Sequence, residues 1–106
     1  MKYGVVLGGL LVVFSAQTMA SEAADALSLA KQKGCMSCHN IERTAVGPSW
    51  KEVAEKYGDD QNATYQLAGS ILYGSMGNWG DRPMRGHAKK MDKDDALKLA
   101  KFIMSL

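Results

Sequence analysis

Lys33-Gly34-Cys35-Met36-Ser37-Cys38-His39 is the stretch on which the reading of this chain turns. Cys-x-x-Cys followed directly by His is the attachment pattern of c-type haem. Each thiol adds across one vinyl group of the macrocycle, and two intervening residues let the sulfurs reach neighbouring pyrroles. The adjacent His39 then lies under the metal and offers an imidazole nitrogen to iron. A thioredoxin-like redox pair is the first alternative, but it needs a βαβ context, and no strand-like alternation precedes Cys35. Zinc is the second. A closed zinc site takes four ligands, and the whole chain has 2 Cys and 2 His.

The residues around this motif fit a small exported domain. Lys2 gives a positive start, Val5 to Phe14 an apolar stretch, and Thr18-Met19-Ala20 a small-residue cleavage site. That is the layout of a secretory signal peptide cut near Ala20, shorter than the ~20 residues of a membrane span. An uncleaved anchor is the alternative. The expected domains are therefore a signal peptide over residues 1–20 and one domain over residues 21–106. Of the 13 basic side chains only Lys2 lies in the first 20 residues, so 12 remain against 11 acidic ones. A near-neutral balance gives no electrostatic case for nucleic acid. With 46% apolar and 23% charged residues the chain is no disordered tail. A domain this small usually needs a staple. A disulfide between Cys35 and Cys38 closes a loop too short to stabilise much, so another group must organise the core.

Periodicity points to an all-α fold. Ala23 to Lys33 has Leu27 and Ala30 spaced as a helix face, ended by Gly34. Ser49-Trp50-Lys51-Glu52 has the spacing of a capping box and opens a helix that stops near Gly58. Asn62 is placed to cap a third helix with Leu67, Ala68, Ile71 and Leu72 as its buried stripe, and Gly74 to end it in a left-handed cap. Asp92, with Asp95 three residues on, opens the last helix, where Ala96, Leu99, Ala100 and Ile103 form the apolar face. Gly74 to Met91 reads as a long Gly-rich loop with no strand pattern. A loop of this length is usually functional or ordered by a ligand, and it is the expected source of the sixth iron ligand.

Met76, Met84, Met91 and His87 are the candidates there. Thioether ligation favours ferrous iron and raises the potential, whereas His87 gives a bis-His site of lower potential. Met84 follows Pro83, whose fixed φ lowers the entropy lost in positioning a ligand. Met91 precedes the Asp92 cap, where an apolar residue commonly forms a hydrophobic staple. Methionines that do not bind iron fill gaps in the core.

Further stretches carry a family resemblance: Val46-Gly47-Pro48-Ser49-Trp50-Lys51-Glu52-Val53-Ala54, Gly74-Ser75-Met76-Gly77-Asn78-Trp79-Gly80, Pro83-Met84 and Leu99-Ala100-Lys101-Phe102-Ile103. With Lys33 to His39 they make residues 24–105 similar to bacterial class I monohaem cytochromes c of the cytochrome c-551 (cytochrome c8) type. The resemblance implies four to five short helices wrapped around one covalent haem c. It implies thioether links at Cys35 and Cys38 and axial ligation by His39 and Met84. It further implies a Pro48 carbonyl accepting the His39 imidazole N–H, and a Trp79 indole N–H directed to a haem propionate; plain core burial is the alternative for Trp79. The chain departs from the pattern at Met84-Arg85-Gly86-His87, where many relatives have more prolines and an Asn. It also departs at Ser70, where relatives often place a basic side chain.

The implied function is that of a monomeric periplasmic electron carrier, not an enzyme. It would shuttle electrons from a bc1-type complex to a nitrite reductase, oxidase or peroxidase, with no stable membrane insertion after signal removal. Lys33, Arg82, Arg85, Lys89 and Lys90 lie in segments able to ring an exposed haem edge and steer acidic partners; scattered solvated charge is the alternative. A small peroxidase would need an open sixth position. A haem sensor would need an exchangeable distal ligand and an output domain.

Overall fold

Caps and glycines set the helix limits in the computed structural model, which describes residues 4, 8, 9 and 14–106, with side chains from residue 19 onward. The apolar stretch from Val5 lies almost wholly outside these residues. Four α-helices are present among them: α1 (Phe14–Gln32), α2 (Trp50–Tyr57), α3 (Ala63–Tyr73) and α4 (Lys93–Met104), with a 3₁₀ turn at Cys35–Ser37. The Glu52 N–H donates to Ser49 Oγ at the start of α2, and the Asp95 N–H to Asp92 at the start of α4. Each side chain satisfies one of the donors that a helix N-terminus leaves unpaired. The reciprocal half of the box is not made, because the Glu52 carboxylate accepts the Thr44 hydroxyl instead.

Four expectations are corrected. α1 begins at Phe14, not Ala23, because Phe14 to Ala24 contains no Gly or Pro to stop it; its buried face centres on Ala26 and Ala30, with Leu27 only half-buried. Asn62 makes no side-chain cap; the Asp60 carboxylate accepts the Asn62 N–H instead. The Gly74-to-Met91 loop is not strandless. It contains an antiparallel hairpin of β1 (Ser75–Gly77) and β2 (Gly80–Met84), whose register shifts between Ser75 and Gly77. Gly74 has a positive φ of 93° but a ψ of 171°, so it turns the chain directly into β1 and not into a left-handed cap. Gly77 and Gly80, also at positive φ, flank the Asn78-Trp79 turn.

The core forms where α4 packs against α1, α2 and α3. Ala96, Leu99, Ala100 and Ile103 are all buried, as are Leu67, Ala68, Ile71 and Leu72 from α3. Met91 joins this core beside the α4 cap. Trp50 lies edge-on to Phe102 at a centroid distance of 5.9 Å, linking α2 to α4. Among the described residues no helix is long and apolar enough to cross a membrane. Leu99 is 1% exposed, so Leu99→Ala is expected to cost about 2–5 kcal/mol in guanidinium unfolding. Asp92→Ala, which removes only a cap, should cost about 1 kcal/mol.

Candidate haem site

The end of α1 determines how the two thiols are presented. Gly34 takes left-handed angles (φ 80°, ψ 13°), which stop the helix and open the 3₁₀ turn. Its carbonyl accepts the Ser37 hydroxyl at 2.7 Å, and the N–H groups of Cys38 and His39 both donate to the Cys35 carbonyl. Residues three apart eclipse in a 3₁₀ turn, so the spacing of Cys35 and Cys38 sets both sulfurs on one side. Both are free thiols, Cys35 half-buried and Cys38 exposed. Burial pushes the Cys35 thiol up, the neighbouring Cys38 adds to this, and a backbone hydrogen bond partly opposes it.

His39 is held in one orientation. Its Nδ1 lies 2.8 Å from the Pro48 carbonyl, a contact that requires the proton on Nδ1 and leaves Nε2 as the acceptor nitrogen. Gly47 lies against the ring. A Cβ there would fall 2.7 Å from His39 Cε1, so only glycine allows the backbone this close. The Gly47 N–H donates to the Cys38 carbonyl at 2.8 Å, closing the loop back onto the attachment turn. Trp50, buried at the start of α2, packs 6.0 Å from the imidazole. Gly47 and Trp50 stand in the stretch that carries the family resemblance, but their contacts with His39 have no signal in the sequence beyond the direct adjacency of Gly47 to Pro48.

These groups line a cavity of about 610 Å³, within the range of cofactor sites. Cys35, Cys38, His39, Pro48, Trp79 and Met84 all border it, and Leu67, Ile71, Leu99 and Ile103 give it an apolar lining. The candidates from the long loop separate here. Met84 is half-buried on the cavity wall, Met76 is 77% exposed and away from it, and Met91 is buried in the core. His87 also borders the cavity, but its Nδ1 lies 3.2 Å from the Ile71 carbonyl, which already accepts the His87 backbone N–H. Gly86 makes this crossing of α3 possible: a Cβ there would fall 2.5 Å from the Leu72 carbonyl oxygen. Trp79 is 37% exposed, so simple core burial does not describe it.

The donor set fits a haem: two unpaired thiols on one turn, an imidazole with a fixed tautomer, and a thioether beside an apolar cavity. Among the described residues no group of three or more His, Cys, Asp or Glu is arranged to hold a metal ion, which leaves the zinc reading without a ligand set there.

Comparison with known proteins agrees. The family model for cytochrome c matches residues 23–106. Cytochrome c-551 of Allochromatium vinosum is 42% identical over 77 residues, covering 73% of this chain and 82% of that protein. Cytochrome c-552 of Nitrosomonas europaea is 41% identical over 92 residues, covering 87% of this chain and 88% of the relative. The crystal structure of wild-type Nitrosomonas europaea cytochrome c552 superposes with a TM-score of 0.72 at 41% identity, over 76% of this chain and 98% of that one. The chain belongs to the cytochrome c family, as a small class I monohaem electron carrier of the cytochrome c-551 type that binds one haem c covalently.

Proposed function

We propose that this electron carrier works by outer-sphere transfer with His39 and Met84 as the axial pair. The observation that carries this reading is the sorting of the long-loop methionines, which puts Met84 alone of the three on the cavity wall. When bound, the haem supplies a one-electron ferrous/ferric couple. The chain's own residues do the rest. The Pro48 carbonyl fixes the imidazole so that Nε2 is free to ligate. Filling both axial positions keeps substrate away from the metal, which argues for a carrier and against a peroxidase or sensor. The apolar lining keeps water out, and the covalent links at Cys35 and Cys38 prevent loss of the group. Trp79, half-exposed on the cavity wall, is the candidate donor to a propionate.

The working location we infer is the periplasm, after a cut near Ala20. The α1 backbone continues across Ala20–Ser21, and residues 19–22 are exposed there. Ala26 is the first buried side chain among the described residues, so the cut removes nothing described in the core. The donor class we propose is a bc1-type complex and the acceptor class a nitrite reductase, oxidase or peroxidase, each meeting a monomer of this chain. Lys33, Arg82, Arg85 and Lys90 border the cavity against one carboxylate, Glu52, which is engaged by Thr44; Lys89 lies in the adjoining groove. That imbalance supports steering of acidic partners.

Three measurements test this reading. Met84→Ala is expected to abolish the ferric thioether charge-transfer band and yield a high-spin spectrum, while Met76→Ala keeps the band. The potential should then fall by on the order of 100 mV, a fraction of the roughly 0.8 V that axial ligands command. A low-spin His/Met spectrum surviving in Met84→Ala overturns the assignment. Intact mass of the exported protein should match residues 21–106 plus one haem; a retained leader argues for the anchor. Stopped-flow transfer to an acidic partner should slow several-fold between ~10 and ~150 mM ionic strength, as the screening length drops from about 30 to about 8 Å. A rate indifferent to salt rejects steering.

A further inference from the structure

The hairpin that carries Met84 is tied to α2 by one side chain. Lys56, in the last turn of α2, places its Nζ 4.3 Å from the centroid of the Trp79 ring. The same ammonium donates to the Asn78 carbonyl at 2.5 Å. Asn78 and Trp79 are the two turn residues between β1 and β2, so both contacts grip the tip of the hairpin. Among the described residues this is the only side-chain hydrogen bond from the hairpin to a helix. At its other end the hairpin is held by backbone bonds: Gly74 N–H to the Ser70 carbonyl before it, and His87 N–H to Ile71 and Ala88 N–H to Leu72 after it. Both strands are mostly exposed and add little packing of their own.

We propose that Lys56 is a positioning residue for the sixth ligand. It closes the free end of the Ser75–Met84 hairpin onto α2 through Trp79 and Asn78, and so restricts the excursions in which Met84 leaves the iron. The inference rests on the Met84 reading for its effect at the metal, but the latch itself stands on the Lys56 geometry alone. A cation over an indole is worth more than one over any other ring. With the latch open, the hairpin is anchored only at its base. Segments of that kind have low local opening free energies.

The test uses ferric holoprotein of wild type, Lys56→Ala and Lys56→Arg; Ala and Arg both suit a helix, so α2 is kept. Imidazole is titrated while loss of the thioether band is followed, and amide hydrogen exchange is measured across residues 75–84 and in α4. Lys56→Ala is expected to bind imidazole about three- to tenfold more tightly and to exchange its hairpin amides faster by a similar factor, from loss of the cation–π contact and the hydrogen bond. Exchange in α4 should not change, and Arg should restore both readouts. Hairpin exchange equal in Lys56→Ala and wild type overturns the latch, whatever ligand the iron takes. Faster exchange with unchanged imidazole affinity overturns the positioning role. Absence of the thioether band from wild type overturns the Met84 assignment instead, and hairpin exchange still decides whether Lys56 closes the turn.

Discussion

Leu67, Ile71, Leu99 and Ile103 belong to two surfaces at once: each is part of the buried core, and each borders the cavity. The hydrophobic interior of this chain is built around a space that its own side chains do not fill. A chain this short buries a modest share of its unfolded surface, and its two cysteines sit too close together to staple it. The haem therefore has a structural role as well as a redox one. A covalently held macrocycle is present in the folded and unfolded chain alike, so it stabilises folding through the apolar surface it buries in the core. The same contacts that exclude water from the metal complete the core.

This double use explains why α4 is the central element. It meets α1, α2 and α3, and its face runs from Ala96, where small residues let helices approach, to Leu99 and Ile103, where larger ones reach the cavity. Trp50 extends this arrangement to His39, the proposed iron ligand, with Phe102 of α4 edge-on to one side and the imidazole 6.0 Å away on another. A single indole thus lies between α4 and the imidazole.

Much of this was legible in the sequence wherever the deciding physics was local. The Cys-x-x-Cys-His pattern, the Ser49 and Asp92 caps, and the apolar faces of α3 and α4 each depend on residues three or four positions apart. The hairpin was not legible. Its strands are short, exposed and occupied by Gly and Pro, so no alternation of polar and apolar residues could mark them. Asn62 remains the N-terminal flanking residue of α3 without a side-chain cap, and the Asp60 carboxylate instead accepts its N–H in a turn just before the helix. The contacts of Gly47 and Trp50 with His39, Gly86 with Leu72, and Lys56 with Trp79 cross between segments that no local pattern relates. The chemistry of the long loop favours Met84, after Pro83, without removing Met76, Met91 or His87, and the family resemblance points to Met84; in the folded chain burial and position separate the four.

The two sides of the site are held by interactions of unequal stiffness. On the side of His39, a helix stop, a 3₁₀ turn, the Pro48 carbonyl and the close approach of Gly47 act within the fifteen residues from Gly34 to Pro48, and the proposed thioether links at Cys35 and Cys38 add covalent constraint. Near Met84 the restraints are a pair of carbonyls at the end of α3, a glycine crossing and one lysine at the hairpin tip. For an electron carrier this asymmetry has a consequence. Reorganisation between oxidation states is small only while both ligands stay in place, and the histidine side is over-determined. With Met84 as the proposed sixth ligand, the rigidity of the metal site, and with it the speed of electron exchange, depends on the distal hairpin and on how firmly its open end is closed.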